Sequence, residues 1–166
     1  MQEFYSRYAD CLTAVCSRYI VDRDDLKDVF QEALIHIFTH ISEYKYRGAG
    51  SLQAWASKIV VNEALKFLKA SKHFEMLQTE AETTPDEQEI TTLNDIPPDV
   101  IQQMIKSLPT GYRTVFNLYV FENKSHSEIA HLLGIKEKTS SSQFSRAKNL
   151  LASMIRQYIN KEQLSR

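Results

Sequence analysis

The strongest constraint on the fold is an apolar stripe between Asp22 and Glu43. Successive members lie alternately three residues and one residue apart, and this spacing places them all on one side of an α-helix. They are Leu26, Val29, Phe30, Ala33, Leu34, Ile37, Phe38 and Ile41. A helix is predicted on each side of it, from Phe4 to Ile20 and from about Leu52 to Ala70, and no segment alternates like a strand. We therefore predict an all-α N-terminal half.

The third predicted helix has an apolar face of its own. We expect this face to be buried, and its members are Leu52, Trp55, Ile59, Val60, Ala64, Phe67 and Leu68.

The C-terminal half carries the pattern of a helix-turn-helix. Two helices are predicted first, at Val100–Leu108 and Pro109–Phe121. Ser125 and Glu128 have capping-box spacing, so a short helix begins there, and Gly134 can supply the positive φ of a tight turn. A longer helix follows, whose inward side is predicted to hold Phe144, Ala147, Leu151, Met154 and Tyr158.

Charge and proline divide the chain into three parts. Residues 75–99 hold three of the four prolines, and residues 74–99 carry eight acidic side chains and no basic one. We predict an acidic flexible linker at 74–99 between two small helical domains, 1–73 and 100–166. The net charge of −1 hides two basic blocks, +4 over 43–73 and +6 over 100–166. Such blocks favour a nucleic-acid partner.

Several other classes of protein are not expected. The apolar runs are too short to span a membrane, and the charged N-terminus does not resemble a signal peptide. The two cysteines, Cys11 and Cys16, indicate a reducing compartment, so we expect a cytoplasmic protein that is not membrane-embedded. His36 and His40 have i, i+4 spacing but no further metal-site pattern. With no nucleophile–base pair and no Gly-rich loop, we expect no metal, no cofactor, no small-molecule substrate and no enzymatic activity.

The polar start of the last helix is the first candidate binding surface. In a helix-turn-helix, the early residues of the second helix face the major groove of DNA. Glutamine can pair with adenine, arginine with guanine, and hydroxyls with bases or phosphates. The predicted DNA-facing residues are Lys136, Lys138, Thr139, Ser142, Gln143 and Arg146. The alternative is a plain helical hairpin with a solvated face.

The second candidate surface is the basic side of the third helix with the loop before it. Lys58, Asn62, Lys66 and Lys69 form one stripe, and Tyr44–Arg47 adds two tyrosines and two cations. Cations interleaved with aromatic rings are typical of single-stranded DNA binding. The alternative is a solvated lysine face with packed tyrosines.

The third candidate surface is acidic and lies on the polar side of the second helix. Asp25, Asp28 and Glu32 line it, with Gln31 beside them. Such a stripe can dock a protein partner, or it can be an ordinary solvated helix start in which acids favour the dipole.

Together these segments resemble an extracytoplasmic-function (ECF) factor of the sigma-70 family. The resemblance covers 27–38, 44–69 and 105–151, in the family's order. It implies region 2 in the first domain and region 4 in the second. It also implies core RNA polymerase (β′ clamp helices and β flap), promoter DNA and an anti-sigma factor as partners.

The resemblance assigns roles to the candidate surfaces. Asp25, Asp28, Gln31 and Glu32 would contact the clamp helices, and the helix from Lys136 would read the −35 element. Residues that would read the −10 element, with one base flipped out of the non-template strand, are Tyr44, Lys45, Arg47, Ser51, Trp55, Lys58, Ile59, Asn62 and Lys66. Trp55 could equally belong to the core.

One departure from the family concerns the −35 reader. Many members have a Val-Lys-Ser-Arg stretch where this chain has 140–143, Ser-Ser-Ser-Gln. Either −35 specificity differs, or phosphate contacts have moved to Lys136, Lys138, Arg146 and Lys148.

The expected function is therefore that of a transcription initiation factor which directs core polymerase to promoters. Two alternatives remain at this point. One is a stand-alone helix-turn-helix regulator that binds duplex DNA as a dimer without polymerase. The other is an interaction module that sequesters a regulator.

Overall fold

A computed structural model describes residues 2–71 and 96–164, which form two compact units, Met1–Lys72 and His73–Arg166. The described residues are helical and contain no strand, so the all-α prediction is confirmed. Residues 74–95 of the predicted acidic linker lie outside the described part of the chain. No described helix has the length and apolar character that a membrane span requires.

Unit 1 is built from three helices. They are α1 (Gln2–Tyr19), α2 (Arg23–His40) and α3 (Ser51–Ala70), with a short 3-10 turn at Ile41–Glu43 after α2. The third helix packs against both of the others. Its buried residues are Ala56, Val60, Val61, Ala64, Leu65 and Leu68, and they meet Leu12, Cys16, Tyr19, Val29, Ala33 and Ile37 in the core.

Helix α2 has the stripe that its sequence predicts, with shorter bounds. Its start is set by Asp22, whose Oδ1 accepts hydrogen bonds from the backbone N–H groups of Asp24 and Asp25 at 2.9 and 3.0 Å. The middle of the stripe is buried, whereas Ile41 is exposed in the 3-10 turn. The regular helix thus ends before the apolar pattern does.

The buried face of α3 differs from the prediction at its N-terminal end. Leu52, Trp55, Ile59 and Phe67 are only partly buried, and Ala56, Val61 and Leu65 are buried in addition to the predicted Val60, Ala64 and Leu68. Helical rotation explains this change, because Ala56, Val60 and Ala64 follow one another at steps of four. Trp55 is therefore turned away from the helical core, toward the loop.

Unit 2 is built around one long helix. Its elements are α4 (Pro98–Ser107), α5 (Thr110–Val120), α6 (His126–Leu133) and α7 (Glu137–Leu164), and α7 contacts each of the other three. One core cluster joins α4 to α7 through Ile105, Leu108, Ala147 and Leu151. Proline precedes α5 and lies at the start of α4, where its fixed φ favours a helix.

A buried arginine closes the corner between α4 and α5. The Nη1 of Arg113 donates hydrogen bonds to the carbonyl oxygens of Leu108 and Lys106, at 2.7 and 3.2 Å. These carbonyls lie at the C-terminal end of α4, where helical partners are lacking. Burial lowers the pKa of the Arg113 guanidinium. The corner is thus held by a polar group rather than by apolar packing alone.

The helix-turn-helix of α6 and α7 is present with the predicted signals. Ser125 Oγ accepts from the backbone N–H of Glu128 at 3.2 Å, and the Glu128 carboxylate accepts from the Ser125 N–H at 2.8 Å. These bonds lower the pKa of Glu128. Gly134 ends α6 with φ 67°, in the left-handed region that favours glycine. The capping box and the glycine together fix both ends of α6.

Candidate nucleic-acid interface

The loop between the 3-10 turn and α3 is folded around one hydroxyl group. Ser51 Oγ donates to the carbonyl oxygen of Gly48 at 2.7 Å and accepts from the backbone N–H of Arg47 at 3.2 Å. It is also hydrogen-bonded to the phenol oxygen of Tyr44. Gly50 precedes α3 with φ 79°, a backbone conformation that residues with a side chain rarely adopt. The loop therefore has a defined shape without a ligand.

An open cleft of about 480 Å³ lies between this loop and the first turns of α3. One side is aromatic, since the ring centroids of Tyr44 and Trp55 are 5.4 Å apart at an interplanar angle of 48°. The lining residues are Glu43, Tyr44, Lys45, Arg47, Ser51, Ala54, Trp55 and Lys58. A cleft with two rings and three cations can hold an unpaired base and its phosphates.

A second cleft, of about 360 Å³, shares Glu43 and Trp55 with the first. It is also lined by His36, His40, Ile59, Asn62 and Glu63. His36 Nδ1 lies 3.0 Å from Glu63 Oε1, and this contact joins α2 to α3. His40 Nδ1 is 2.9 Å from the carbonyl oxygen of His36. Within the described residues, no three His, Cys, Asp or Glu side chains are grouped as metal ligands.

The structure brings most of the residues predicted for the −10 element together around these two clefts. Lys66 lies apart, with its Nζ 3.5 Å from Glu63 Oε2. Residues on the first cleft are Tyr44, Lys45, Arg47, Ser51, Trp55 and Lys58, and those on the second are Trp55, Ile59 and Asn62. Trp55, for which two readings were open, is half-buried and lines both clefts.

Tyr46 belongs to the second predicted surface but not to the residues assigned to the −10 element, although it lies in the same loop. Its side chain is 76% exposed, more than any other aromatic ring described. An exposed ring between two cations was visible in the sequence and is the signal that would have identified it.

The acidic stripe of α2 lies opposite the buried side of its helix. Asp28, Gln31 and Glu32 are exposed, and Asp25 is partly buried. Ile35, one turn beyond Gln31, continues the same surface and is 50% exposed. The stripe thus offers carboxylates and one apolar side chain to a partner.

On α7 the predicted contacts divide into two groups. Lys136 and Lys138 are exposed, and Ser142, Arg146 and Lys148 are partly buried. Arg146 Nη1 donates to the phenol oxygen of Tyr112 at 3.1 Å, and Lys148 Nζ lies 5.4 Å from the centre of the Phe144 ring. These contacts hold the two cations close to the surface of unit 2.

The prediction that Thr139 and Gln143 contact DNA is wrong, because both side chains are buried. They are only 4% and 2% exposed, so their side chains lie inside unit 2. Gln143 is one helical turn before Ala147, which is itself before Leu151, and all three share the buried side of α7. Extending the apolar spacing backward by one turn would have shown this. Ser141, which the prediction omitted, is exposed instead.

A stacked aromatic cluster fixes the junction of α5, α6 and α7. The ring of Tyr119 is 4.7 Å from that of His126 and 4.3 Å from that of Phe144, measured between centroids. His126 Nδ1 lies 3.0 Å from Ser140 Oγ. Burial lowers the pKa of His126, and the carboxylate of Glu137 partly opposes this shift. The junction of the three helices therefore includes an imidazole ring that can gain a proton.

Comparison with known proteins agrees with this architecture. The family description Sigma-70 region 2 matches residues 4–74, and Sigma-70, region 4 matches residues 99–151. The chain is 26% identical over 165 residues to the ECF RNA polymerase sigma-E factor of Haemophilus influenzae, covering 90% of this chain and 84% of that protein. It is also 26% identical over 152 residues to the RNA polymerase sigma factor SigV of Bacillus subtilis, covering 89% and 83%.

A solved structure shares the fold. It is the co-crystal structure of the sigma factor RpoE with the anti-sigma factor NepR from Bartonella quintana, with a TM-score of 0.52 and 18% sequence identity. The match covers 94% of this chain and 98% of that one.

The two matched regions span most of the chain in the family's order, so the protein belongs to the sigma-70 family, in its ECF group. That membership defines an RNA polymerase-associated initiation factor rather than a stand-alone regulator.

Proposed function

We propose that unit 1 captures an unpaired base of the −10 element in the cleft between Tyr44–Gly50 and α3, while unit 2 reads the −35 element with α7. The observation that carries this proposal is the pairing of the Tyr44 and Trp55 rings beside Lys45, Arg47 and Lys58 in one open cleft.

Capture in this cleft would assist promoter melting without a chemical step. A base leaves the duplex when the pocket offers stacking and hydrogen bonds that offset the lost base pair. The Tyr44 and Trp55 rings supply the stacking surface, and the neighbouring cations neutralise the flanking phosphates. The second cleft adds the Asn62 amide, which can pair with an adenine edge.

Core RNA polymerase is the partner we assign to the acidic stripe. Asp28, Gln31 and Glu32 are exposed on one side of α2 and would meet the β′ clamp helices. The β flap and an anti-sigma factor are further proposed partners, consistent with the complex in which the structural neighbour was crystallised.

At the −35 element, phosphate contacts would dominate. Lys136 and Lys138 are exposed at the start of α7, and the Ser141 and Ser142 hydroxyls follow them. Lysines and hydroxyls anchor the DNA backbone and can bond to base edges. Arg146 and Lys148 would complete the surface once they leave Tyr112 and Phe144.

The protein would act by binding alone, as a non-enzymatic factor in the cytoplasm. We divide the chain by these proposed roles into region 2 at 1–73, the acidic linker at 74–99 and region 4 at 100–166.

Reconstituted transcription tests the proposed function. Core polymerase is incubated with a genomic fragment library, with and without the full chain, and the transcript starts are mapped. We expect new starts that share two upstream motifs and that depend on the chain. Specific binding to palindromic duplexes without polymerase, with no new transcripts, would contradict the proposal.

A further inference from the structure

The hydroxyl of Ser51 has no capacity left for DNA. A serine hydroxyl has one proton to donate and two lone pairs to accept with. Its proton goes to Gly48 O at 2.7 Å, and one lone pair takes the Arg47 N–H at 3.2 Å. The remaining lone pair takes the Tyr44 O–H. A DNA contact would have to break one of these bonds.

The three bonds join the parts of the loop that form the cleft. The bond to Tyr44 holds the hydroxyl of this side chain in place, and the ring of the same side chain lies beside Trp55. The bond to the Arg47 backbone fixes the point from which the guanidinium extends along the cleft. Because the Tyr44 hydroxyl donates its proton to Ser51, this tyrosine can offer a base its ring and an acceptor oxygen but no donor.

We propose that Ser51 is a positioning residue, which contacts no DNA and holds Tyr44 and Arg47 in the shape that accepts a base. The proposal rests on the proposed function of the cleft and deepens it. It replaces the sequence-based role of Ser51 as a DNA contact with an indirect one. It also predicts that the effect of Ser51 is the same whichever base the cleft captures.

Trp55 allows the positioning role to be measured without DNA. It is the only tryptophan in the sequence, and its ring lies beside that of Tyr44. Quenching of its fluorescence by acrylamide is measured in the full chain for Ser51→Ala, Tyr44→Phe, the double variant and Ser51→Thr. We expect greater quenching in the first two variants, no further increase in the double variant, and wild-type quenching in Ser51→Thr, which keeps the hydroxyl.

The functional arm uses holoenzyme on a promoter found by the transcription experiment. Loss of a hydrogen bond of ordinary net strength predicts an open-complex equilibrium constant about three- to tenfold lower for Ser51→Ala, with the same loss whichever base is placed at the captured position. A pre-melted −10 element should remain sensitive to the substitution, because the base must still be held. Helical circular dichroism should stay at the wild-type level, since the bonds lie in the loop.

Two results would overturn the proposal. One is unchanged Trp55 quenching in Ser51→Ala. The other is a loss that occurs with only one kind of base at the captured position, which would make Ser51 a direct contact. The two failures remain separable: if wild-type holoenzyme starts no new transcripts, the proposed function fails, whereas the quenching experiment still tests the loop.

Discussion

Replacing Gln143 by alanine should destabilise unit 2 rather than change which base it reads. The side chain is 2% exposed and lies on the buried side of α7 with Ala147 and Leu151. Truncating it beyond Cβ leaves a cavity in a closely packed region, at a cost of about 2–3 kcal/mol. For a unit of this size, that corresponds to a fall in unfolding temperature on the order of 10–20 °C.

The assay uses two probes that report on different units of the full chain. Fluorescence of Trp55 follows unit 1 because the chain has no other tryptophan, whereas helical circular dichroism follows both units. We expect Gln143→Ala to lower the unfolding temperature of the transition seen only by circular dichroism, and to leave the Trp55 transition unchanged.

Ser142→Ala is the matched control, because Ser142 directly precedes Gln143 in the helix and is only partly buried. Its unfolding temperature should stay close to wild type, since surface changes cost about 0.5 kcal/mol or less. A Gln143→Ala variant that unfolds like wild type and loses preference for adenine at one −35 position would refute the placement of this side chain.

Three further predictions concern the other surfaces. Asp28→Ala with Glu32→Ala should weaken binding to core polymerase by about 2–5 kcal/mol in a calorimetric titration. The reason is that the substitutions leave the partner's charges at the interface desolvated and unpaired. Lys58→Ala should impair open-complex formation, measured by permanganate reactivity of unpaired thymines, more than initial duplex binding, because Lys58 lines the cleft proposed for the melted strand. Unit 2 should lose stability as the pH falls below about 6.5, because burial lowers the folded-state pKa of His126 and the unfolded chain binds the proton first. His126→Gln should reduce that slope in denaturant unfolding followed by circular dichroism.

The first two of these predictions have a control within the same unit. Glu3→Ala with Asp10→Ala removes the same charge from exposed positions of α1 and should leave polymerase binding unchanged. Lys69→Ala removes an exposed α3 lysine that lines neither cleft, so permanganate reactivity should match wild type. Equal defects in a test variant and its control would contradict the role assigned to that surface. An unchanged dependence of unfolding stability on pH in His126→Gln would contradict the role assigned to His126.

Helical periodicity predicted the fold well where one face is continuously apolar. The α2 stripe and the capping box of α6 are local patterns, and both occur as the sequence indicates. Periodicity was weaker at the polar start of α7, because Ser140 and Gln143 occupy core positions without being apolar. Polar residues enter a core only when the surrounding atoms compensate them, and these surroundings come from α5 and α6.

The cleft of unit 1 could be predicted in its composition but not in its shape. Cations and rings in Tyr44–Arg47 indicated a nucleic-acid surface. The bonds that Ser51 makes to Tyr44, Arg47 and Gly48 are specific to the folded loop. Neither residue spacing nor propensity distinguishes a serine that contacts DNA from one that holds the loop.

We expect the burial of Thr139 and Gln143 to shift promoter selection toward the −10 element. Apart from Glu137, the start of α7 exposes lysine and serine, groups that bond to phosphates and to more than one base. The amide that could have paired with adenine is enclosed in unit 2. Unit 1, by contrast, has two rings and a fixed backbone at one cleft and the Asn62 amide at the neighbouring cleft, where a wrong base would not make the same contacts. Mismatches at the captured −10 base should therefore cost about 1–3 kcal/mol each, and mismatches at −35 should cost less, because the contacts there are mainly to phosphates.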